Sequence, residues 1–535
     1  MSVSADFEST IGRQVQAAAR RFGDTEGLVE GDLRLTFAEL ADRVLDAAAA
    51  FVANGLRPGD RVAMWAPNIA EWVIAGLGAS SAGATLVPLN TRYKGFEAAD
   101  IIERSGATML LCVNGFLGND YVGMLRSAGA HLPQLRHVVV LRGEAVGGTT
   151  AWSDFLAAAT DEARVEAQRR IDGQPDSDLS DIIFTSGTTG RPKGVMCTHQ
   201  QSMRVFDAWS TVVGLVHGDR YLIVNPFFHT FGYKAGILAC LIRGATIIPE
   251  PVFDVRTILR TAAAEKVSML PGPPTVYMTI LNDPHRDDYD LSSLRLSVTG
   301  AAAVPVEMIR RMREELTFTT IVTGYGLTES TGTIAMCRAG DDPETIANTS
   351  GRAIPDVEIR VVDDDNNPLP PNTPGEIVCR GYNVTQGYLD DPVATAEAID
   401  PDGWLHTGDI GVIDERGYVR ITDRKKDMFI IGGTNAYPAE IEGILMRHPG
   451  IAQVAVVGVP DERMGEVGCA FVIPRAGVPL DPDEVIAWSR LHMANYKVPR
   501  SVHVVDSLPT NPSGKVLKFE LRDRANSLIS QETTR

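Results

Sequence analysis

A short apolar run at residues 61–65 leads into a helical pattern that ends at Gly83, and a second apolar run follows at 84–88. This strand, helix, strand succession constrains the chain more than any other feature, because two strands joined through a helix lie parallel in one sheet. Asn68 occupies the expected N-cap position of that helix, with Glu71 three residues on. Similar apolar runs recur at 107–113, 181–185, 221–224, 246–249, 267–270 and 296–299. The fold class expected is therefore α/β, with a large N-terminal domain of mixed, mostly parallel sheets and helices.

Beyond about residue 350 the texture changes. Short runs at 357–363, 375–380, 412–414 and 418–422 are separated by turn signals such as 364–368 (DDNNP) and 415–417 (ERG), which reads as a small β subdomain. From Asp427 onward a strand precedes a helix with Pro438 at its first position, Glu440 and Glu442 in its first turn and Gly450 past its end. Two strands, a helix and a strand complete a smaller α+β module. The organisation expected is an N-terminal domain over 1–423, a charged junction at 424–427 and a C-terminal domain over 428–535.

A chain of 535 residues with 44% hydrophobic and 22% charged side chains can build such a core. Acidic residues outnumber basic ones by 68 to 50, and the formal net charge of −18 repels phosphate backbones at long range, which argues against a nucleic-acid partner. A small anion still binds where the site supplies its own donors. Six widely spaced cysteines without a C-x-x-C suggest neither a zinc site nor a disulfide framework, and they favour a reducing compartment. The N-terminus carries charges where a signal peptide needs an apolar stretch, and no apolar run reaches about 18 residues, so a soluble, cytoplasmic protein without a membrane span is expected. The sequence leaves the oligomeric state open, a homo-oligomer included.

The chemistry concentrates in a few glycine-rich segments. After the run 181–185 come Thr185, Ser186, Gly187, Thr188, Thr189, Gly190, Arg191, Pro192, Lys193 and Gly194. The glycines let the backbone curl, the hydroxyls donate and Lys193 adds a point charge, which is the make-up of a phosphate cradle. It is not a Walker A loop, since no Ser or Thr follows Lys193. In a second segment, Gly324, Tyr325, Gly326, Leu327, Thr328 and Glu329, the glycines admit a planar ligand, Tyr325 offers a stacking face and Glu329 can hold Mg2+ beside phosphates. Upstream lies the small-residue stretch Gly300, Ala301 and Ala302. Asp409, between Gly408 and Gly411, can accept hydrogen bonds from ribose hydroxyls. Arg424, Lys425 and Lys426 lead into Gly432 and Gly433, where the backbone is bare of side chains. Near the C-terminus Lys515 follows Gly514, and a lysine on so flexible a loop can reach both a carboxylate and an α-phosphate. His229 sits among Phe227, Phe228 and Phe231, a setting that by composition suits a core histidine.

In this order, and over roughly residues 10–525, these segments resemble those of the AMP-forming acyl-CoA synthetases. That family lies within the adenylate-forming superfamily, with the luciferases and the adenylation domains of peptide synthetases. The resemblance implies that ATP, Mg2+ and coenzyme A are bound. It puts the loop from Thr185 to Lys193 on the triphosphate and Gly300, Ala301, Ala302, Gly324, Tyr325 and Gly326 about the adenine. Thr328 then lies near the α-phosphate and Asp409 on the ribose. It makes Arg424 a nucleotide contact, Lys426 the hinge of a mobile C-terminal domain, and Gly432 with Gly433 the lining of a pantetheine tunnel. Catalytic roles fall to Lys515, the adenylation lysine, and to His229, Glu329 and Thr185, with Glu329 as the metal ligand and His229 between acyl pocket and nucleotide.

The implied activity is ATP-dependent ligation of a carboxylic acid to coenzyme A through an acyl-adenylate. Stretches at 225–241 and 270–274 are similar to bacterial CoA ligases of steroid breakdown that take a bicyclic indane-dione propanoate. Medium-chain fatty acids and aromatic acids are the alternative substrates. A ligase serving a carrier protein would be expected to bear an appended carrier domain, and a non-catalytic adenylate-binding protein to lack Lys515 or Glu329. An acyl-AMP-forming oxygenase shares every motif and is separated only by light or oxygen uptake. Lys234 breaks the apolar run just after His229, and either snorkels to solvent or points inward toward a polar group of the substrate, such as a ring carbonyl.

Overall fold

The computed structural model describes residues 7–185, 191–300, 304–363, 365–424, 429–436, 438–509, 516 and 518–533. The chain forms two compact units. The first comprises Met1–Thr91, Ala99–Phe184 and Gly194–Thr422, and the second Arg92–Ala98, Thr185–Lys193 and Asp423–Arg535.

In the first unit the βαβ pattern yields a seven-stranded sheet. Its order is Thr150–Ala151, His137–Arg142, Ala107–Val113, Arg61–Trp65, Thr85–Pro88, Leu179–Thr185 and Lys193–Thr198. The inner pairings are parallel, with Met64 beside Pro88 on one flank and Leu111 on the other. Strands of this kind are buried on both faces, which is why they read as unbroken apolar runs. Val62, Ala63, Met64 and Trp65 are all fully buried.

A second sheet orders Arg220–Ile223, Thr246–Pro249, Glu26–Glu30 and Leu33–Thr36, and a third orders Leu296–Thr299, Thr320–Tyr325, Ala335–Met336 and Arg352–Ala353. The strand expected at 267–270 shrinks to Met269, which bridges Tyr221 on one side and Leu296 on the other. Pro271, Pro273 and Pro274 follow at once, and prolines cannot supply ladder donors.

The β subdomain is an antiparallel meander of Glu358–Val362, Gly375–Arg380, Leu405–Ile413 and Val419–Arg424. Its third strand begins at Leu405, well before the apolar run at 412. Gly408 and Gly411 break the alternation that a sequence reading depends on, and Asp409 lies within this strand.

The second unit is built on the long antiparallel pair Ile451–Asp461 and Gly465–Pro474, extended by Phe429–Ile431, Thr434–Ala436 and Ser501–Val504. Helices Pro438–Leu445, Pro482–His492 and Lys518–Thr533 contribute Ile441, Leu445, Val485 and Leu521 to a core that also holds Val456 and Phe471. Lys497 is buried there with Glu440 Oε1 at 2.5 Å and Glu97 Oε1 at 2.9 Å. The six cysteines are free and buried. Among the described residues no helix is long and apolar enough to cross a membrane.

Candidate active site

Strand Thr320–Tyr325 delivers Tyr325 between Gly324 and Gly326, of which Gly326 is needed for space. A Cβ on Gly326 would stand 2.3 Å from the Gly332 carbonyl oxygen, and one on Gly300 would stand 3.3 Å from that of Gly324. The Tyr325 hydroxyl donates to Asp409 Oδ2 at 2.7 Å. Tyr325 is 7% exposed and Asp409 2%. Burial, and then the neighbouring Asp409 charge, hold the Tyr325 hydroxyl well above its usual pKa, so it stays protonated as a donor. The Asp409 backbone is braced as well, because its N–H donates to Thr407 Oγ1, which donates in turn to the Ile377 carbonyl. Two residues separated by 84 positions are thus joined directly, and the carboxylate is fixed in orientation.

Glu329 lies in the single turn Thr328–Ser330, after which Thr331 (φ +55°) and Gly332 (φ +98°) reverse the chain. Gly332 faces Thr230 so closely that a Cβ would meet its methyl group at 2.4 Å. The Glu329 carboxylate accepts from the Tyr388 hydroxyl at 2.9 Å, and its carbonyl from the Thr385 N–H at 2.9 Å. The segment 385–389 also runs beside Lys193–Thr198, with Gln386 N–H on Met196, Met196 N–H on Gly387 and Leu389 N–H on Gly194. Sequence reasoning missed Tyr388, because its partner is 59 residues away and no local pattern marks it. Glu329 offers hard oxygen donors, the kind that Mg2+ takes from one or two carboxylates together with substrate phosphates and water.

His229 is not a core residue. Its ring is exposed, while its Nδ1 accepts from the Phe231 N–H at 3.2 Å, which leaves the hydrogen on Nε2. With Nδ1 accepting, the imidazole is the neutral tautomer. The preceding loop is anchored by Asn68, the residue expected as an N-cap. The helix instead begins at Ala70, whose N–H is capped by the Glu30 carboxylate at 2.7 Å. The buried Asn68 amide donates to the Ile223 and Asn225 carbonyls at 3.0 and 2.9 Å and accepts from Phe227 N–H at 2.8 Å.

Thr185 ends the strand Leu179–Thr185, and Lys193 begins Lys193–Thr198. Ser186, Gly187, Thr188, Thr189 and Gly190 between them lie outside the described residues, as do Ala301, Ala302, Lys426 and Lys515. Arg424 ends the strand Val419–Arg424. His406 Nδ1 lies 3.3 Å from Glu376 Oε2. Lys234 does not snorkel. It is fully buried in a π-helical turn, Tyr233–Leu238, with Nζ 2.9 Å from Asp181 Oδ1, so of the two alternatives it points inward, and the polar group it meets is an internal carboxylate.

Gly432 and Gly433 form the two-residue turn between Phe429–Ile431 and Thr434–Ala436, at φ +55° and +78°. Such a turn demands positive φ at both positions, so glycine here has a backbone reason independent of any tunnel. The variant Gly433→Asn tolerates that φ while adding a side chain. If the turn borders the path of a thioester arm, pyrophosphate exchange persists in this variant while acyl-CoA output falls at least tenfold, and equal rates would remove Gly433 from that path.

The chain matches the family model described as AMP-binding enzyme over residues 15–389, and the model of the AMP-binding enzyme C-terminal domain over residues 440–515. It is 52% identical over 518 residues to the 7a-methyl-1,5-dioxo-octahydro-1H-inden-4-yl-propanoyl:CoA ligase of Rhodococcus jostii (strain RHA1), covering 96% of this chain and 98% of the relative. A ligase of the same description from Mycobacterium tuberculosis is 51% identical over 517 residues, covering 96% and 98%. Among solved structures, the o-succinylbenzoate CoA synthetase of Bacillus subtilis, bound with a product analogue, superposes with a TM-score of 0.80 at 28% identity, covering 95% of this chain and 98% of that one.

Proposed function

We propose that this chain, which belongs to the AMP-binding enzyme family, ligates a bicyclic dioxo-indane propanoate to coenzyme A at the expense of ATP, through an acyl-adenylate. The observation that carries the substrate is identity above one half, sustained over almost the whole length of two relatives that bear that activity in their names.

In the first half-reaction an oxygen of the acid attacks the α-phosphorus of ATP, the bond to the bridging oxygen breaks and pyrophosphate leaves. In the second the thiol of coenzyme A attacks the acyl carbon, loses its proton, and AMP leaves. Tyr325 and Asp409, already joined, present a flat ring and a fixed carboxylate to the nucleoside. Glu329, steadied by Tyr388, would hold Mg2+, which when bound offsets the phosphate charge. Neutral His229 offers the acid its Nε2–H as a donor. Lys515 stabilises charge at the reacting oxygens, and the loop from Thr185 to Lys193 cradles the phosphates. We place the hinge between half-reactions at 424–427, with Lys426 at its centre. A reducing cytoplasm suits the six free cysteines, and the net charge of −18 suits small-molecule partners rather than nucleic acid.

Pyrophosphate release across a panel of acids tests this reading. The bicyclic dioxo propanoate is expected to give kcat/KM at least tenfold above octanoate and benzoate, and a straight-chain or aromatic acid in first place would contradict it. The Tyr388→Phe variant tests the metal site. A hydrogen bond to a charged group is worth about 1.5–3 kcal/mol, so adenylation should fall by roughly ten- to a hundredfold while the Mg2+ concentration needed for half-maximal rate rises. An unchanged Mg2+ requirement would show that Tyr388 does not orient Glu329.

A further inference from the structure

Lys234 is one of only nine lysines in the chain, and it is fully buried, as is Asp181. Besides the ammonium at 2.9 Å, the Asp181 carboxylate takes hydrogen bonds from the Ser180 hydroxyl at 2.6 Å and the Ser202 hydroxyl at 3.4 Å. Burying two charges is expensive, and an apolar pair of the same size often leaves a protein equally or more stable. Stability is therefore a poor reason for the pair, and its surroundings supply a better one.

Asp181 lies on the strand Leu179–Thr185, and Lys234 lies in the first turn of the π segment Tyr233–Leu238, just after His229 and Thr230. A π turn accommodates one residue more than an α turn, and relaxing it to α geometry would rotate what precedes it by roughly 100°. The segment is pressed onto its neighbours: a Cβ on Gly232 would meet the Pro226 and Asn225 carbonyl oxygens at 2.1 and 2.3 Å. From the same interior point a second path leads outward. Cys197 lies beside the ammonium, its Sγ is 3.7 Å from Thr331 Oγ1, and Thr331 donates to the Asn383 carbonyl at 2.8 Å. Thr331 is two residues past Glu329, and Thr230 rests against Gly332.

Resting on the acid-activating function proposed above, we infer that the Asp181–Lys234 ion pair is a positioning element of the site, pinning the π turn so that His229 and Thr230 are held against the Glu329 turn. Neither residue touches substrate. Both act through the backbone they fix.

The test compares Asp181→Asn, Lys234→Met and the double variant with wild type. Each single change strands a buried charge and is expected to lower the unfolding midpoint markedly. The double variant removes both charges at nearly constant volume and is expected to restore the midpoint to within a few degrees. Activity is expected not to follow: in pyrophosphate exchange the double variant should show KM for the acid raised at least tenfold, with KM for ATP within twofold of wild type. A double variant with wild-type stability and wild-type acid KM would overturn the proposal, and so would one that does not fold, because the pair would then be a requirement of folding alone. A wild type that exchanges pyrophosphate with no acid would remove the function reading itself. Retained exchange in the double variant, with an unchanged acid KM, would remove only the positioning role.

Discussion

Lys515→Ala is expected to abolish acyl-adenylate formation while leaving thioester formation from supplied acyl-AMP within a fewfold of wild type. In the proposed reaction the lysine serves one half-reaction only, at the moment when negative charge from the acid and the α-phosphate converges. Removing one such preorganised group costs roughly 3–4 kcal/mol, or two to three orders of magnitude in rate. Acid-dependent pyrophosphate exchange and the single turnover of synthetic acyl-AMP with coenzyme A read the two halves separately. Equal damage to both would show that Lys515 acts on binding or folding and not on adenylation.

Asp409→Ala has the second largest expected effect, and it has two parts. The buried Tyr325 hydroxyl loses its acceptor, at a cost of about 1–3 kcal/mol of stability, and the nucleoside loses a fixed carboxylate. Asp409→Asn separates them, since its amide oxygen still accepts from Tyr325 but its charge is gone. The alanine variant should therefore unfold at lower temperature than the asparagine variant, while both show KM for ATP raised at least tenfold. If Asp409→Asn binds ATP as wild type does, the carboxylate has no part in holding the nucleotide.

The contrast between Asp409 and Asp181 explains how far the sequence could be read. Asp409 announces itself through the glycines near it, so it stood out as a candidate even though the strand that carries it did not. Asp181 stands in an apolar run and looks like a strand residue, and nothing near it in sequence points to Lys234, 53 positions away. The parallel sheet was legible for the same kind of reason. Apolar runs broken by helices leave a local trace, whereas the pairings of Tyr388 with Glu329 and of Asn68 with the 223–227 segment exist only once the sheets have formed. Lys497 belongs with these: in sequence it is one basic residue after a tyrosine, and in the fold it is buried between two carboxylates.

Glycine needed the most correction. At Gly326 a Cβ would stand 2.3 Å from the Gly332 carbonyl oxygen, so this glycine has a packing reason of its own, independent of the planar ligand expected beside it. At Gly432 and Gly433 the same residue type answers first to a hairpin turn, and sequence alone does not tell the two uses apart.

The most direct test of the central claim is the product balance when purified enzyme is given the bicyclic dioxo propanoate, MgATP and coenzyme A. The expected result is one AMP and one pyrophosphate for each acyl-CoA thioester formed, with an acyl-adenylate accumulating when coenzyme A is withheld. Release of ADP and phosphate, or release of AMP without thioester, would contradict it.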